Sequence, residues 1–298
     1  MTTAEELKAI VRQKYGDIAR QEETQGVTVD GGCGPSSCCG PAATDASYSI
    51  LMNDEYQTID GYVADADLGL GCGLPTQFAQ IKPGDTVVDL GSGAGNDCFV
   101  ARAETGETGR VIGLDMTPGM IDRARKNAKA LNYTNVEFVY GDIEDIPLPD
   151  NLADVVVSNC VMNLVPDKAR AFQETYRILK PGGHFSISDI VLVGDLPEGL
   201  QRDAELYAGC VSGAIQERDY LDIVTRSGFT ALQVQKKKEI NLPTELLRTY
   251  ITADELAAYR QDGRGIYSIT VFARKPLTDP KPASPSAESC CGPTCCNG

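Results

Sequence analysis

The stretch Thr86-Val-Val-Asp-Leu-Gly-Ser-Gly-Ala-Gly-Asn-Asp97 decides how this 298-residue chain folds. Its first five residues are a short, mostly apolar run, which reads as a strand. Glycines at 91, 93 and 95 then allow a tight turn and a close approach of backbone to a ligand. Residues 94–104 read as the helix that follows. Outward from this unit the alternation continues. RVIGLD (110–115) is a second strand and TPGMIDRARKNAKAL (117–131) a helix, with Thr117 at the N-cap and Pro118 at its first position. VEFVYGD (136–142) and ADVVVSN (153–159) are the third and fourth strands. DKARAFQETYRILK (167–180) is a helix closed by Pro181, Gly182 and Gly183, and HFSISDIVL (184–192) is a fifth strand. Repeated βαβ units predict an α/β fold, an open, doubly wound, mostly parallel sheet with right-handed crossovers.

The flanks read differently. Residues 3–24 form an amphipathic helix, with Leu7, Ile10, Val11, Lys14 and Ile18 on one face. Residues 25–47 are rich in Gly, Pro and Ser and carry Cys33, Cys38 and Cys39. Helices at 197–209 and 216–227 precede strands at 229–240 and 266–274, which reads as a smaller α+β unit attached after the sheet. Residues 277–298 are a Pro-rich, core-poor tail ending in CCGPTCCNG. The expected division is 1–64, 65–195, 196–276 and 277–298, the tail being flexible.

Composition narrows the function. The net charge of −15 argues against a nucleic-acid partner and against an anionic membrane surface. No apolar run approaches the ~18 residues of a membrane span, and the charged first twenty residues lack a signal-peptide core. A cytoplasmic protein is expected. The one histidine, His184, excludes a multi-histidine metal site. Its place at a strand start reads as structural.

Asp89 and Asp115 end the first two strands, where open α/β sheets bind ligands. A carboxylate at position 115 can accept both hydroxyls of a ribose. In GDIEDIPLP, Asp142 can meet an adenine amino group beside Ile143. The glycine spacing is G-x-G-x-G, not the G-x-G-x-x-G of dinucleotide sites. The glycine turn, the acidic strand ends and LKPGGHF (179–185) together resemble the class I S-adenosylmethionine-dependent methyltransferases. The resemblance covers residues 65–195 and implies a Rossmann-like, seven-stranded sheet with a reversed final hairpin and S-adenosylmethionine as methyl donor.

Eleven cysteines in a chain without a secretion signal point to soft-ion or redox chemistry. Cys72 lies in GLGCGLP, Cys160 in VVVSNCVMNLVPDK after the fourth strand, and Cys210 in YAGCVSGAI. Taken singly, Cys160 and Cys210 are equally readable as packing residues, and Cys98, inside a helix, reads as a buried thiol. Together, three thiolates suit a thiophilic ion such as As(III). They form a trigonal pyramid whose free lone pair can attack an electrophilic methyl carbon without loss of a proton.

DLGSGAGNDCFV, GLDMT, VSNCVMNLVPDK, LGCGLP and the Cys210 segment closely resemble the arsenite methyltransferases, over almost the whole chain except the tail. The resemblance implies Cys72, Cys160 and Cys210 as As(III) ligands. It implies a fourth cysteine in a disulfide step, Cys39 or Cys38 by position with Cys33 also open, and thioredoxin or glutathione as reductant. It implies cofactor contacts at Gly91, Ser92, Gly93, Asp115, Met116, Asp142, Ile143 and Asn159, to which strand-end Asp89 and turn residue Gly95 are added. The partners are then arsenite and its thiol conjugates, and the role is arsenic detoxification. Two other readings stand beside this one. A different small-molecule methyltransferase leaves the three cysteines without a task, and a thiol-rich sequestration protein leaves the nucleoside site without one. For the vicinal pairs Cys38–Cys39, Cys290–Cys291 and Cys295–Cys296, a dispensable thiol-rich end and an arsenic-capturing arm remain open, ahead of a zinc site.

Overall fold

The structure, a computed structural model, describes residues 3–24, 57–196, 213–241, 244–250, 252 and 263–278. The expected helix at 197–209, the cysteine-bearing loop and the end of the tail lie outside these residues. So do Cys33, Cys38, Cys39, Cys210 and the four tail cysteines.

Helix α1 (Ala4–Thr24) precedes a short helix α2 (Pro75–Phe78) and the alternating series β1 (Thr86–Leu90), α3 (Asn96–Thr105), β2 (Arg110–Asp115), α4 (Pro118–Ala130), β3 (Val136–Tyr140) and β4 (Ala153–Asn159). Then come α5 (Lys168–Ile178), β5 (Leu179–Val193), α6 (Glu217–Arg226), β6 (Thr230–Glu239), α7 (Thr244–Tyr250) and β7 (Gly265–Arg274). The seven strands form one sheet in the order β3-β2-β1-β4-β5-β7-β6. The first five run parallel, and β7 is antiparallel to both β5 and β6.

The period of two divides the interior. Val88 and Leu90 of β1 face a core with Phe172, Phe185 and Tyr220, under α5 and α6. Val87, just before them, faces the opposite core with Phe99, Ile121 and Ala124, under α3 and α4. A fully buried side chain such as Phe99 or Phe172 contributes about 1.5–3 kcal/mol over its exposed state, so both faces of the sheet are held strongly.

The expected strands of the smaller unit are present as β6 and β7, and they complete the main sheet as the seven-stranded, reversed-hairpin end that the resemblance implies. The reason is the edge of β5. That strand is buried along most of its length, and an unpaired edge there would strand its N–H and C=O groups. β7, buried over most of its residues, pairs with it from His184–Arg274 to Val193–Gly265. α5 is shorter than the expected 167–180. Asp167 caps it from outside by accepting the Arg170 N–H at 2.9 Å, and Leu179 already pairs with Ala153.

Because β1 to β4 are parallel, the turns that follow them gather at one end of the sheet. That end carries the candidate site.

Candidate functional site

An open cavity of about 1080 Å³ lies at the carboxyl ends of β1 to β4. Gly91, Ser92 and Gly93 line it beside Asp89, Asp115, Met116, Asp142, Ile143 and Asn159. These are the expected cofactor contacts except Gly95. Gly95 stands at the N-cap of α3 with φ +100°, and a Cβ there would press on the rings of Phe138 and Phe99 at 2.9 Å. It shapes the turn from behind the cavity wall.

Asp115 is held by two backbone donors, Gly93 N–H at 3.0 Å and Thr117 N–H at 2.8 Å. Thr117 occupies the N-cap of α4 without a side-chain cap bond, so the Asp115 carboxylate serves that helix start instead. Burial pushes the Asp115 carboxyl up, against those two donors. Asp89 is 2 % exposed, and burial together with Asp97 and Asp115 pushes its carboxyl well up, although the Cys98 thiol donates to it at 3.3 Å. Crowded buried carboxylates repel one another and favour a cationic ligand.

The residues therefore fit a nucleoside with a sulfonium centre. Asp115 keeps acceptor capacity beyond its two backbone donors. The space where a Gly93 Cβ would stand is open to 4 Å, and the buried Ser92 hydroxyl has no hydrogen-bond partner among the described residues.

The thiols stand beside this cavity. Cys160 lines it; Cys72 lies next to Cys160, and both are buried. The sulfurs of Cys72 and Cys160 and a carboxylate oxygen of Asp189 all lie within 4.8 Å of one another. Cys160 follows β4 with φ +62°, a left-handed conformation that non-glycine residues adopt at a cost, and its N–H donates to Ser188 O at 2.8 Å. Cys72 is tied to the same strand end. The Asn159 side chain accepts from Cys72 N–H at 3.0 Å and Gly73 N–H at 3.2 Å, and its amide donates to Gly73 O at 2.9 Å. The flanking glycines are sterically required. A Cβ at Gly71 would lie 2.8 Å from Asn159 Nδ2, and one at Gly73 would overlap the Ser188 side chain.

With this geometry in hand, similarity to known proteins is informative. Residues 81–228 match a family described as a methyltransferase domain. The chain is 41% identical over 279 residues to an arsenite methyltransferase of Halobacterium salinarum, covering 92% of this chain and 68% of that protein. The chain belongs to the arsenite methyltransferase family. An arsenite methyltransferase of Aquipseudomonas alcaligenes is 34% identical over 219 residues, 71% of this chain and 61% of that one. The crystal structure of an arsenic(III) S-adenosylmethionine methyltransferase from Chlamydomonas reinhardtii superposes with a TM-score of 0.59 at 35% identity, covering 69% and 68% of the two chains. The chain thus spans about two thirds of the length of these relatives. As a family member it is an S-adenosylmethionine-dependent methyltransferase with the class I α/β fold.

Two residues at this family member's site went unnoticed in the sequence. Asp189, fully buried in β5, accepts from Ile190 N–H at 2.9 Å and faces the Tyr220 hydroxyl at 3.5 Å. Burial raises its carboxyl to about 7, although Ile190 N–H, Lys168, Tyr220 and Asn163 favour the charged form. Its signal was available, since an acid inside the run SISDIVL has no ordinary reason to be buried. Lys8 of α1 pairs with Asp142 at 2.7 Å and with Glu144. His184 lies away from the cavity lining; Nε2 donates to the Ala79 carbonyl at 2.5 Å and the ring stacks 5.0 Å from Phe272. Cys98 is fully buried in α3, and burial with Asp89 holds its thiol well up, so it is a poor thiolate. Among the described residues no helix is long and apolar enough to cross a membrane.

Proposed function

We propose that this enzyme methylates trivalent arsenic, bound by Cys72, Cys160 and Cys210, and that its role is arsenic detoxification in the cytoplasm. The observation that carries the reading is the buried sulfur pair, Cys72 and Cys160, set within 4.8 Å of each other, with Cys160 on the wall of the donor cavity. Two buried thiols at that spacing match a soft ion far better than a quinone or sterol carbon.

Cys210 lies outside the described residues, but chain connectivity supports its place. Gly213, three positions later, is pressed against the Asn163 backbone in the loop after Cys160. Three residues span at most about 11 Å. In this reading residues 65–195 supply the donor site and residues 196–276 bring the third thiol to it.

When bound, S-adenosylmethionine supplies an electrophilic methyl group on a sulfonium. The chain's own residues do the rest. Each thiol that displaces hydroxide from arsenite gives up its proton, which leaves in water. The three thiolates then hold arsenic with its lone pair free. As that pair forms the arsenic–carbon bond, the carbon–sulfur bond breaks and its electrons stay on the departing thioether sulfur. Arsenic is formally oxidised by two electrons. A cysteine pair including Cys39, or alternatively Cys38 or Cys33, returns those electrons by forming a disulfide, which thioredoxin or glutathione reduces. Asp115 orients the ribose, and Asp142 with Ile143 receives the adenine. Acceleration comes chiefly from holding the two reactants in line.

Incubation of the full chain with arsenite, S-adenosylmethionine and a thiol reductant tests the reading. Methylated arsenicals are expected by chromatography with arsenic-specific detection. Cys160→Ser is expected to lower their formation at least 100-fold while leaving S-adenosylmethionine affinity within threefold. Retained methylation by that variant overturns the assignment of Cys160.

A further inference from the structure

Helix α1 is a wall of the donor cavity for which the proposed reaction has no use. It contributes Lys8, Val11 and Tyr15 to the lining. Its far end packs on α4, where a Cβ at Gly119 would lie 3.4 Å from that of the buried Ala19. Its near end is held by charge. The Lys8 ammonium, 8 % exposed as a residue, lies 2.7 Å from Asp142 Oδ2 and also pairs with Glu144.

The two acids are themselves organised. Asp142 Oδ1 accepts Glu144 N–H at 2.9 Å. Glu144 accepts Asp167 N–H at 2.6 Å, and Asp167 caps α5, which follows the Cys160 loop. One ammonium therefore joins α1, the turn after β3 and the start of α5. In a chain of net charge −15, two carboxylates two residues apart would otherwise repel each other. A carboxylate has about four acceptor positions. Lys8 and Glu144 N–H take one on each oxygen, and Asp142 keeps acceptor capacity where it lines the cavity.

We propose that Lys8 is a positioning residue for the methyl donor: its double ion pair fixes the carboxylate that receives the adenine amino group. The proposal rests on the assignment of Asp142 to adenine. Lys8 touches neither arsenic nor the transferred methyl group, so its effect falls on donor affinity and not on the chemical step.

Calorimetric titration of the full chain tests it with two donors, S-adenosylmethionine and its analogue carrying hypoxanthine in place of adenine. Lys8→Met keeps most of the aliphatic stem and removes the charge. It is expected to weaken S-adenosylmethionine binding about tenfold, to raise KM for that donor with kcat unchanged, and to leave arsenite affinity within twofold. Lys8→Arg is expected to restore donor binding to within threefold of the native chain. The hypoxanthine analogue, lacking the amino group, is expected to bind native protein and Lys8→Met within twofold of each other. Glu144→Gln, which leaves Lys8 and Asp142 in place, is expected to show a smaller loss of the same kind and guards against misfolding of the first variant. Unchanged S-adenosylmethionine affinity in Lys8→Met overturns the proposal, as does an equal loss for both donors or for arsenite. Asp142→Asn separates the two levels. If it leaves S-adenosylmethionine affinity intact, the adenine assignment itself fails. If it weakens binding while Lys8→Met does not, the role of Lys8 alone fails.

Discussion

The Asn159 side chain accepts the backbone N–H of Cys72 at 3.0 Å, joining two segments that lie 87 positions apart in the chain. Asn159 ends β4 immediately before Cys160, so one amide sets both sulfurs. Its Oδ1 serves Cys72 and Gly73, and its Nδ2 serves Gly73 O and, at 3.1 Å, Asp97. The resemblance assigned Asn159 to the cofactor; it does line the cavity, and it also fastens the thiol site to the donor site. Asn159→Ala strands three backbone groups, each costing about 1–3 kcal/mol where buried without a partner. A stability loss of about 2–4 kcal/mol in urea unfolding is expected, with at least a tenfold fall in arsenite affinity. An unchanged arsenite titration in a folded Asn159→Ala protein would show that the amide does not set the sulfurs.

Gly73 makes a sharper test, because its cause is purely steric. A Cβ there overlaps the Ser188 side chain, and Ser188 in turn bonds Thr270 at 2.9 Å. Gly73→Ala must push the Cys72 segment away from Cys160. Arsenite affinity is expected to fall at least tenfold while S-adenosylmethionine affinity stays within threefold. Ser188→Gly in the Gly73→Ala background opens the space again and is expected to recover part of the loss. A double-mutant cycle in arsenite binding measures that coupling, and simple additivity would count against the contact.

What the sequence made legible, and what it hid, follows from the range of each interaction. Strands such as Thr86–Leu90 and Arg110–Asp115 announce themselves through local apolar runs, and Asp89 and Asp115 through their place at strand ends. Pairing is nonlocal, so nothing near Gly265–Arg274 says that it will lie against Leu179–Val193 and close the sheet. Cys72, Cys160 and Asp189 meet for the same reason, through a topology that brings distant segments to one strand end. The left-handed backbone at Cys160 has no signature in residue type, since cysteine there breaks the usual preference for glycine or asparagine. Lys8 reads as one more charge on an amphipathic helix until Asp142 and Glu144 are found opposite it.

Asp115 separates donor from acceptor. Its carboxylate organises the turn through Gly93 N–H and Thr117 N–H and is the group proposed to receive the ribose hydroxyls. Asp115→Ala removes charge-assisted hydrogen bonds worth about 1.5–3 kcal/mol each. S-Adenosylmethionine affinity is expected to fall at least 30-fold by calorimetry, with arsenite affinity within threefold because the sulfurs are anchored by Asn159. An equal loss for both ligands would mean that Asp115 supports the whole site rather than the nucleoside.

Asp189 gives the chain a pH dependence of defined sign. Its carboxyl stands at about 7 in the folded protein, mainly through burial, against ~3.9 in an unfolded chain. Below about pH 4 it is protonated in both states and contributes no penalty. Between about 4 and 7 the folded state holds a proton that the unfolded state has lost, so stability falls as the pH rises. Above 7 the full cost of a buried charge remains, about 4 kcal/mol by linkage. Asn in its place is neutral at every pH and can still accept the Ile190 N–H. The difference in unfolding free energy between Asp189→Asn and the native chain is therefore expected to move in the variant's favour from pH 5 to pH 8, by a few kcal/mol. Taking the difference cancels other titrating groups, including His184, whose burial-lowered pKa acts in the opposite direction and costs stability as the pH falls. Urea unfolding of the two proteins across that range provides the measurement, and a difference that stays flat would place the Asp189 charge in a far more hydrated setting than its burial beside Cys72 and Cys160 describes.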